Sequence, residues 1–157
     1  MTTSRSEQDA RHPVVVVDTR EQEPYTFDRQ RVLVVRRALV AGDYALDADE
    51  EGLVIERKSL DDYVSSVILA RDRFLRELAI LTRYRAPCVL VEGSLEDIAE
   101  HRYRQGIHPN AVLGATWALI ADHRMPVLFA GDRQLACQAA EGLLMRAHRK
   151  AIEAQPG

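Results

Sequence analysis

The chain has 157 residues, 46% of them hydrophobic, which is enough apolar material for one domain with its own core. Its 21 basic and 24 acidic residues give a formal net charge of −3, so composition alone does not indicate a nucleic-acid partner. No apolar run approaches the roughly 20 residues that cross a bilayer, and the start of the chain lacks the apolar region of a secretory signal. We therefore expect an intracellular, cytoplasmic protein with no membrane partner.

The first half of the chain is rich in short apolar runs. We expect residues 1–12 to form a flexible tail and residues 13–154 to form a single folded domain. Strands are predicted at residues 14–18, 31–37, 43–46 and 53–57, with an acidic, glycine-containing hairpin turn at residues 47–52.

The second half of the chain alternates predicted helices with predicted strands. A long helix is predicted over residues 60–84, because its apolar residues recur near helical spacing. The elements that follow are a strand at 87–91, a short helix at 95–100, a loop at 101–109, an apolar helix at 110–123, a strand at 127–129 and a helix at 132–154. This order predicts an α/β fold with a mixed central sheet flanked by helices.

Charged residues gather at the ends of the predicted strands. Asp43 follows a glycine at a strand end, and Glu56, Arg57 and Lys58 continue an apolar strand. Because alternate strand residues share a face, Glu56 and Lys58 project side by side and Arg57 points to the other face. Two carboxylates and a lysine can hold a hard divalent cation and ready a water for attack on a phosphodiester. The spacing therefore favours a nuclease.

Each of these residues also has a purely structural interpretation. Asp43 could bond the amides of a turn, and Glu56 with Lys58 could be a surface ion pair of little energetic weight. The apolar residues 53–55 favour function, because charges persist in a buried strand only when they are paired or coordinated. Asp62, three residues after Ser59, fits a helix cap and a site role equally well.

Three motifs in the same order resemble the nuclease domain of the XPF family of structure-specific endonucleases. The family signature is V-D-x-R-E at a strand end, then G-D, then E-R-K-x-x-x-D, which here correspond to residues 17–21, 42–43 and 56–62. The resemblance is close over residues 14–92 and weaker to about residue 150. It implies a restriction-endonuclease-like fold in stand-alone form. It also implies Mg²⁺- or Mn²⁺-dependent cleavage of branched or flapped DNA in repair or recombination.

The resemblance also implies a role for individual residues. Asp43, Glu56 and the Arg57 carbonyl would hold the metal, and Lys58 would orient the attacking water. Asp18 would bind a second metal or a metal-bound water. Arg20 suits contact with a phosphate, and the Arg57 side chain would form a salt bridge or touch phosphate. The complete predicted catalytic set is Asp18, Arg20, Glu21, Asp43, Glu56, Arg57, Lys58 and Asp62.

Grouped arginines could give this acidic protein a local positive surface. Arg73 aligns with an arginine of the family pattern. Arg102 and Arg104 flank Tyr103, and an aromatic among basic residues can stack on a splayed base. The three arginines are predicted DNA contacts, and the alternative is an ordinary solvated surface.

The resemblance also bears on the oligomeric state of the protein, and two other functions are compatible with the sequence. XPF-type nuclease domains pair, so the resemblance implies a homodimer, with residues 111–120 and 135–145 as candidate faces. The alternative is that both segments only cover the sheet, and helical spacing predicts a core position for Trp117. Two other functions remain open, which are a non-catalytic DNA-binding partner subunit and a Holliday-junction-resolvase or restriction-type nuclease.

Overall fold

A computed structural model describes residues 12–156 and shows one mixed six-stranded sheet. The strands are β1 (Val14–Val17), β2 (Leu33–Arg36), β3 (Tyr44–Leu46), β4 (Asp49–Ser59), β5 (Ala86–Glu92) and β6 (Val127–Phe129). Their order across the sheet is β2-β1-β3-β4-β5-β6, and β3 is antiparallel to both of its neighbours. The predicted mixed sheet is confirmed. The predicted tail falls almost wholly on residues 1–11, outside the described residues.

Helices cover both faces of this sheet. They are α1 (Leu60–Val64), α2 (Arg71–Leu81), α3 (Leu95–Ala99), α4 (Pro109–Ala121) and α5 (Arg133–Glu153), and a π-helical segment, Ser65–Leu69, joins α1 to α2. The helices α1, α2 and α4 pack around Val54 and Val89 on one face. The helix α5 packs against Ile55 and Leu90 on the other face. Within residues 12–156, no helix combines the length and the apolar character that crossing a membrane requires.

Two predicted elements differ from the structure. The turn predicted at residues 47–52 is confined to residues 47–48, because β4 already begins at Asp49. The pairing of β3 with β4 shifts register between Ala45 and Leu46, which leaves residues 50–53 of β4 without a partner in β3. The helix predicted over residues 60–84 is interrupted by the π-helical segment and by Ala70, whose φ of −114° and ψ of 33° are not helical. Val67, Phe74 and Leu78 are still buried, because a π turn adds a residue without reversing the chain, whereas Leu69 is exposed.

The strand directions bring the charged strand ends together. β1, β4 and β5 run in one direction and β3 runs against them, so three C-terminal ends and one N-terminal end share an edge. The chain passes closely over β4 at Gly42, which has a φ of +78°. A Cβ atom there would lie 2.3 Å from Val54 Cγ2, so the turn before Asp43 requires glycine.

Candidate active site

A cleft of about 300 Å³ opens at this edge of the sheet. Its walls come from the end of β1, the turn before β3, the strand β4 and the helix α2. The charged residues that line it are Asp18, Arg20, Asp43, Glu56 and Glu77. The cleft therefore joins side chains that are up to 59 positions apart in the sequence, between Asp18 and Glu77.

Asp43 and Glu56 provide two largely buried carboxylates in this cleft. The backbone N–H of Arg57 donates to Asp43 Oδ2 at 2.8 Å, which fixes the Asp43 side chain against β4. Burial raises the pKa of both carboxyl groups, and the Asp43 charge raises the pKa of Glu56 further. A cation bound by both carboxylates would relieve the repulsion between them.

Lys58 shares the Glu56 face of β4, as the strand period predicts. Its Nζ lies 3.7 Å from Glu56 Oε1 and 5.2 Å from the centre of the Phe74 ring, so an ion pair and an aromatic face both hold the ammonium. The Lys58 side chain is 18% exposed. The ammonium is therefore restrained beside the carboxylates and remains accessible to solvent.

Asp18 and Arg20 form a paired unit at the rim of the cleft. Arg20 Nε donates to Asp18 Oδ2 at 2.8 Å, and the backbone N–H of Leu39 donates to Asp18 Oδ1 at 2.8 Å. Burial would raise the pKa of Asp18, but these hydrogen bonds lower it below its usual value, so the carboxylate is ionised. Both Asp18 oxygens accept hydrogen bonds, so this carboxylate orients Arg20, and its binding of a second metal or a metal-bound water stays a prediction.

Glu21 and the Arg57 side chain lie on the other face of the sheet. Arg57 Nη1 is 3.3 Å from Glu21 Oε1, and Arg57 Nη2 is 2.8 Å from Glu92 Oε1. The structure therefore shows the salt bridge that was one alternative for Arg57. It does not bring the Glu21 carboxylate into the cleft, so a catalytic role for Glu21 would have to act through Arg57.

The cap of α1 is supplied by Ser59 and not by a reciprocal pair. Ser59 Oγ accepts the N–H of Asp62 at 3.2 Å, and among the described residues no return bond joins the Asp62 carboxylate to the Ser59 amide. The Asp62 side chain is exposed in the first turn of α1, immediately beyond Lys58 in the chain. Asp62 is not among the residues that line the cleft, so its role in the site stays a prediction.

This capping arrangement predicts different stability losses at the two positions. We expect Ser59→Ala to lower the free energy of unfolding by about 1 kcal/mol, because the N–H of Asp62 loses its acceptor. Asp62→Ala should cost about 0.5 kcal/mol, because it removes only a favourable charge at the helix N-terminus. Urea unfolding measures both losses. An Asp62→Ala loss larger than that of Ser59→Ala would show that the carboxylate is the principal cap.

The three predicted DNA-contacting arginines are in different surroundings. The Arg73 side chain is 71% exposed, and its nearest carboxylate is Glu77 at 4.0 Å. Arg102 is bound by three carboxylates, from Glu96, Asp97 and Glu100, so its charge is offset locally. Arg104 is exposed, and its backbone N–H donates to Asp61 Oδ1 at 3.0 Å. All three side chains reach solvent, Arg102 alone has its charge offset by several carboxylates, and a DNA contact by each stays a prediction.

Two acidic residues of the site region were missed by the sequence reasoning. Glu77 lines the cleft from α2 and lies one helical turn from both Phe74 and Leu81, so its position beside the buried stripe was a usable signal. Glu92 ends β5 opposite Ser59 in the parallel register. The sequence signal for Glu92 was its position at the C-terminal end of a strand, because the C-terminal ends of parallel strands meet at one edge of a sheet.

The side chains available as ligands limit how the cleft could bind a metal ion. In residues 12–156, no group of three or more His, Cys, Asp or Glu side chains is arranged to hold a metal ion. A cation at the cleft would therefore depend on the Asp43 and Glu56 carboxylates, a backbone oxygen and water. Mg²⁺ commonly binds in this way, through one or two carboxylates while it keeps several waters. The residues present fit such an ion.

The fold and the cleft together define a nuclease-type α/β domain, and comparisons with known proteins identify its family. The ERCC4 domain model matches residues 17–140. Among solved structures, XPF from Aeropyrum pernix has a TM-score of 0.70 at 24% identity, with coverage of 88% of this chain and 66% of that one. The same protein in a complex with DNA has a TM-score of 0.66 at 21% identity, covering 93% and 68%.

The chain belongs to the ERCC4 domain family and has the fold of XPF nuclease domains. It is 29% identical over 124 residues to a 3′-flap repair endonuclease Xpf of Saccharolobus solfataricus, covering 76% of this chain. It is also 27% identical over 139 residues to a putative ATP-dependent RNA helicase of Methanocaldococcus jannaschii, covering 88% of this chain. The chain spans 49% of the first relative and 16% of the second.

Proposed function

We propose that this protein is a divalent-metal-dependent DNA endonuclease that hydrolyses phosphodiester bonds at the cleft between β4 and α2. The observation that carries the proposal is the juxtaposition of Asp43 and Glu56, two largely buried carboxylates, with Lys58 on the same face. A structural ion pair with Lys58 needs only Glu56, whereas Asp43 is held in the same cleft by the Arg57 N–H, where a cation would relieve the repulsion between the two carboxylates. Family membership supports the same reaction class.

Mg²⁺ or Mn²⁺ would be held by Asp43, Glu56 and the carbonyl of Arg57. When bound, the ion would neutralise the charge that develops on the phosphate and lower the pKa of a bound water. Lys58 would hold the attacking water with its restrained ammonium. Arg20, which is 69% exposed although anchored to Asp18, would contact a phosphate oxygen at the rim of the cleft.

Branched or flapped DNA in repair or recombination is the substrate class we propose. A relative that shares 29% identity is named as a 3′-flap repair endonuclease, and an XPF with the same fold has been solved in a complex with DNA. Incubation with end-labelled flap, fork, bubble and linear duplexes in Mg²⁺, Mn²⁺ or EDTA tests the proposal. We expect metal-dependent cuts near the branch and no cutting in EDTA.

The same experiment separates the rival functions. A non-catalytic partner subunit would bind the fork and cut nothing in either metal. A restriction-type enzyme would cut linear duplex at one defined sequence, and a Holliday-junction resolvase would need a four-way junction, which should be included as a further substrate. Each of these outcomes would overturn the proposed flap or fork specificity.

DNA affinity should depend on the exposed arginines. We expect Arg73→Ala and Arg104→Ala each to weaken fork binding and to reduce the slope of affinity against salt by about 1, because each removes a phosphate contact. Arg102→Ala should change the slope far less, because Glu96, Asp97 and Glu100 already offset that charge. Fluorescence anisotropy in EDTA across a salt series measures all three. Equal slopes for Arg73→Ala and the parent would place the DNA-binding surface elsewhere.

A second copy of the chain is the partner we propose for the outer face of α4. This helix is apolar on all sides, which is typical of a helix with no solvent-facing side. Contrary to the predicted core position, the Trp117 side chain is 51% exposed, beside the small residues Ala111 and Gly114. The helix α5 instead buries Ala136, Ala140 and Leu144 against the sheet. Both helices bury one side in the core, but the exposed side of α4 is the more apolar, with Trp117 and Ile120 on it, so α4 is the face we propose.

Replacing Trp117 should separate the copies. We expect Trp117→Glu to weaken dimerisation by about 2 kcal/mol or more, since a buried charge would replace an aromatic anchor. Leu135→Glu is the matched control, because Leu135 on α5 is also 51% exposed. Light scattering at high micromolar concentration should show a dimer for the parent and the control. A parent protein that is monomeric throughout would contradict the proposal.

A further inference from the structure

A chain of four alternating charges lies behind the cleft, on the α5 face of the sheet. The four residues, in order of contact, are Glu21, Arg57, Glu92 and Arg133. The Glu21 and Glu92 side chains are each 7% exposed and that of Arg57 is 14% exposed. The Arg133 side chain, at 44% exposed, forms the solvent-facing end. The three buried charges would cost free energy if unpaired, and here two guanidinium groups pair with two carboxylates.

Glu92 is the centre of this chain of charges. Its Oε1 is 2.8 Å from Arg57 Nη2, and its Oε2 is 3.3 Å from Arg133 Nη1. It therefore bridges two like charges, from β4 and from the first residue of α5. Arg133 is tied further, because its Nη2 donates to the carbonyl of Glu23 at 2.7 Å. The loop after β1, the strands β4 and β5 and the helix α5 thus converge on one carboxylate.

An aromatic side chain completes this support. The ring of Tyr25 contacts both guanidinium groups, with Arg57 Cζ at 5.6 Å and Arg133 Cζ at 5.0 Å from its centre. It also stacks on Tyr44 at 5.3 Å and 13°, and the backbone N–H of Tyr25 donates to the Tyr44 hydroxyl at 2.8 Å. Tyr44 is the residue directly after Asp43. Asp43 is therefore held through the Arg57 N–H on β4 and through its chain neighbour Tyr44.

We propose that Glu92 and Arg133 are positioning residues, which fix the Arg57 peptide unit and through its N–H the orientation of the Asp43 carboxylate. The inference rests on the proposed nuclease function for its consequence in catalysis. Ion pairs this deeply buried add little stability compared with apolar packing, so the free energy of folding alone does not explain them. The ion pairs act on the cleft through the Arg57 backbone N–H, which donates to Asp43 Oδ2 at 2.8 Å.

The first test is independent of cleavage. Glu92→Gln keeps the shape of the side chain and removes the charge that holds Arg57. We expect faster hydrogen exchange at the Arg57 amide in an NMR experiment without metal, with exchange at Val54 and Ile55 unchanged. Arg85→Gln is the matched control, because Arg85 pairs with Asp49 at the opposite end of β4 on the surface. Unchanged exchange at Arg57 would overturn the inference, whether or not the protein proves to be a nuclease.

The second test uses a flap substrate with Mn²⁺ at a temperature well below unfolding. Arg133→Gln, at the more exposed end, guards against misfolding of the Glu92 variant. We expect Glu92→Gln and Arg133→Gln to lower the rate at saturating DNA by about tenfold to a hundredfold, with the DNA concentration for half-maximal rate unchanged. Arg133→Lys should restore most of the rate, and Arg85→Gln should cut like the parent. If both Gln variants cut at the parental rate and differ from the parent only in a lower melting temperature, Glu92 and Arg133 have a purely structural role and the proposal is wrong.

Discussion

Asp43→Asn and Glu56→Gln are each expected to lower the cleavage rate in Mg²⁺ by at least about a hundredfold while the protein remains folded. Each change keeps the size of the side chain and removes one of the two carboxylate charges that would hold the ion. Both carboxyl groups are destabilised as anions by burial, so neutral amides should leave the fold at least as stable. Gel assays with a labelled flap measure the rate, and thermal unfolding measures the fold.

The carboxylate prediction has a matched control on the same strand. Glu51→Gln removes an equal charge from an exposed position near the start of β4, so it should cut at the parental rate. DNA binding in EDTA should persist in both cleft variants and should strengthen slightly, because less negative charge faces the phosphates. Parental cutting by Asp43→Asn in Mg²⁺ would overturn the assignment of this cleft.

Lys58→Ala should also lower the cleavage rate by about a hundredfold or more, as expected for loss of a group that positions the attacking water. The distinction from the carboxylate variants lies in metal binding. Lys58 is a cation, so its removal should leave Mn²⁺ affinity unchanged or improved, whereas Asp43→Asn should reduce it. Titration of the DNA-free protein with Mn²⁺, followed by electron paramagnetic resonance, measures this difference.

The chain offers a simple control for Lys58, because it contains only one other lysine. Lys150→Ala, in the last turn of α5 and exposed, should leave cleavage and Mn²⁺ binding unaffected. Lys58→Arg should recover little activity, since a planar guanidinium does not occupy the place of a compact ammonium over the Phe74 ring. Loss of Mn²⁺ binding in Lys58→Ala would show that the lysine holds the site together and does not act on the water.

Local patterns in the sequence located each strand, although not the start of β4, and determined which strand residues share a face. Glu56 and Lys58 are two residues apart on a strand, so their common face follows from the period of the strand alone. The cap of α3 is equally local, because Ser94 and Asp97, three positions apart, bond each other's backbone N–H reciprocally. The mixed sheet followed from the order of the elements. These features depend on residues a few positions apart, which is why they could be predicted.

The tertiary structure decided what each charge and each apolar residue contacts. Asp18 meets Leu39, and Glu92 meets Arg133, through contacts 21 and 41 positions apart that no local period specifies. Trp117 has the spacing of a core residue but lies on the outer side of α4, because a helix that is apolar all round gives no sign of which side faces the sheet. The sequence by itself determined which groups stand at the strand ends. Only the packing of strands and helices decided which of them share the cleft, because strand register and helix rotation are set by contacts between distant residues.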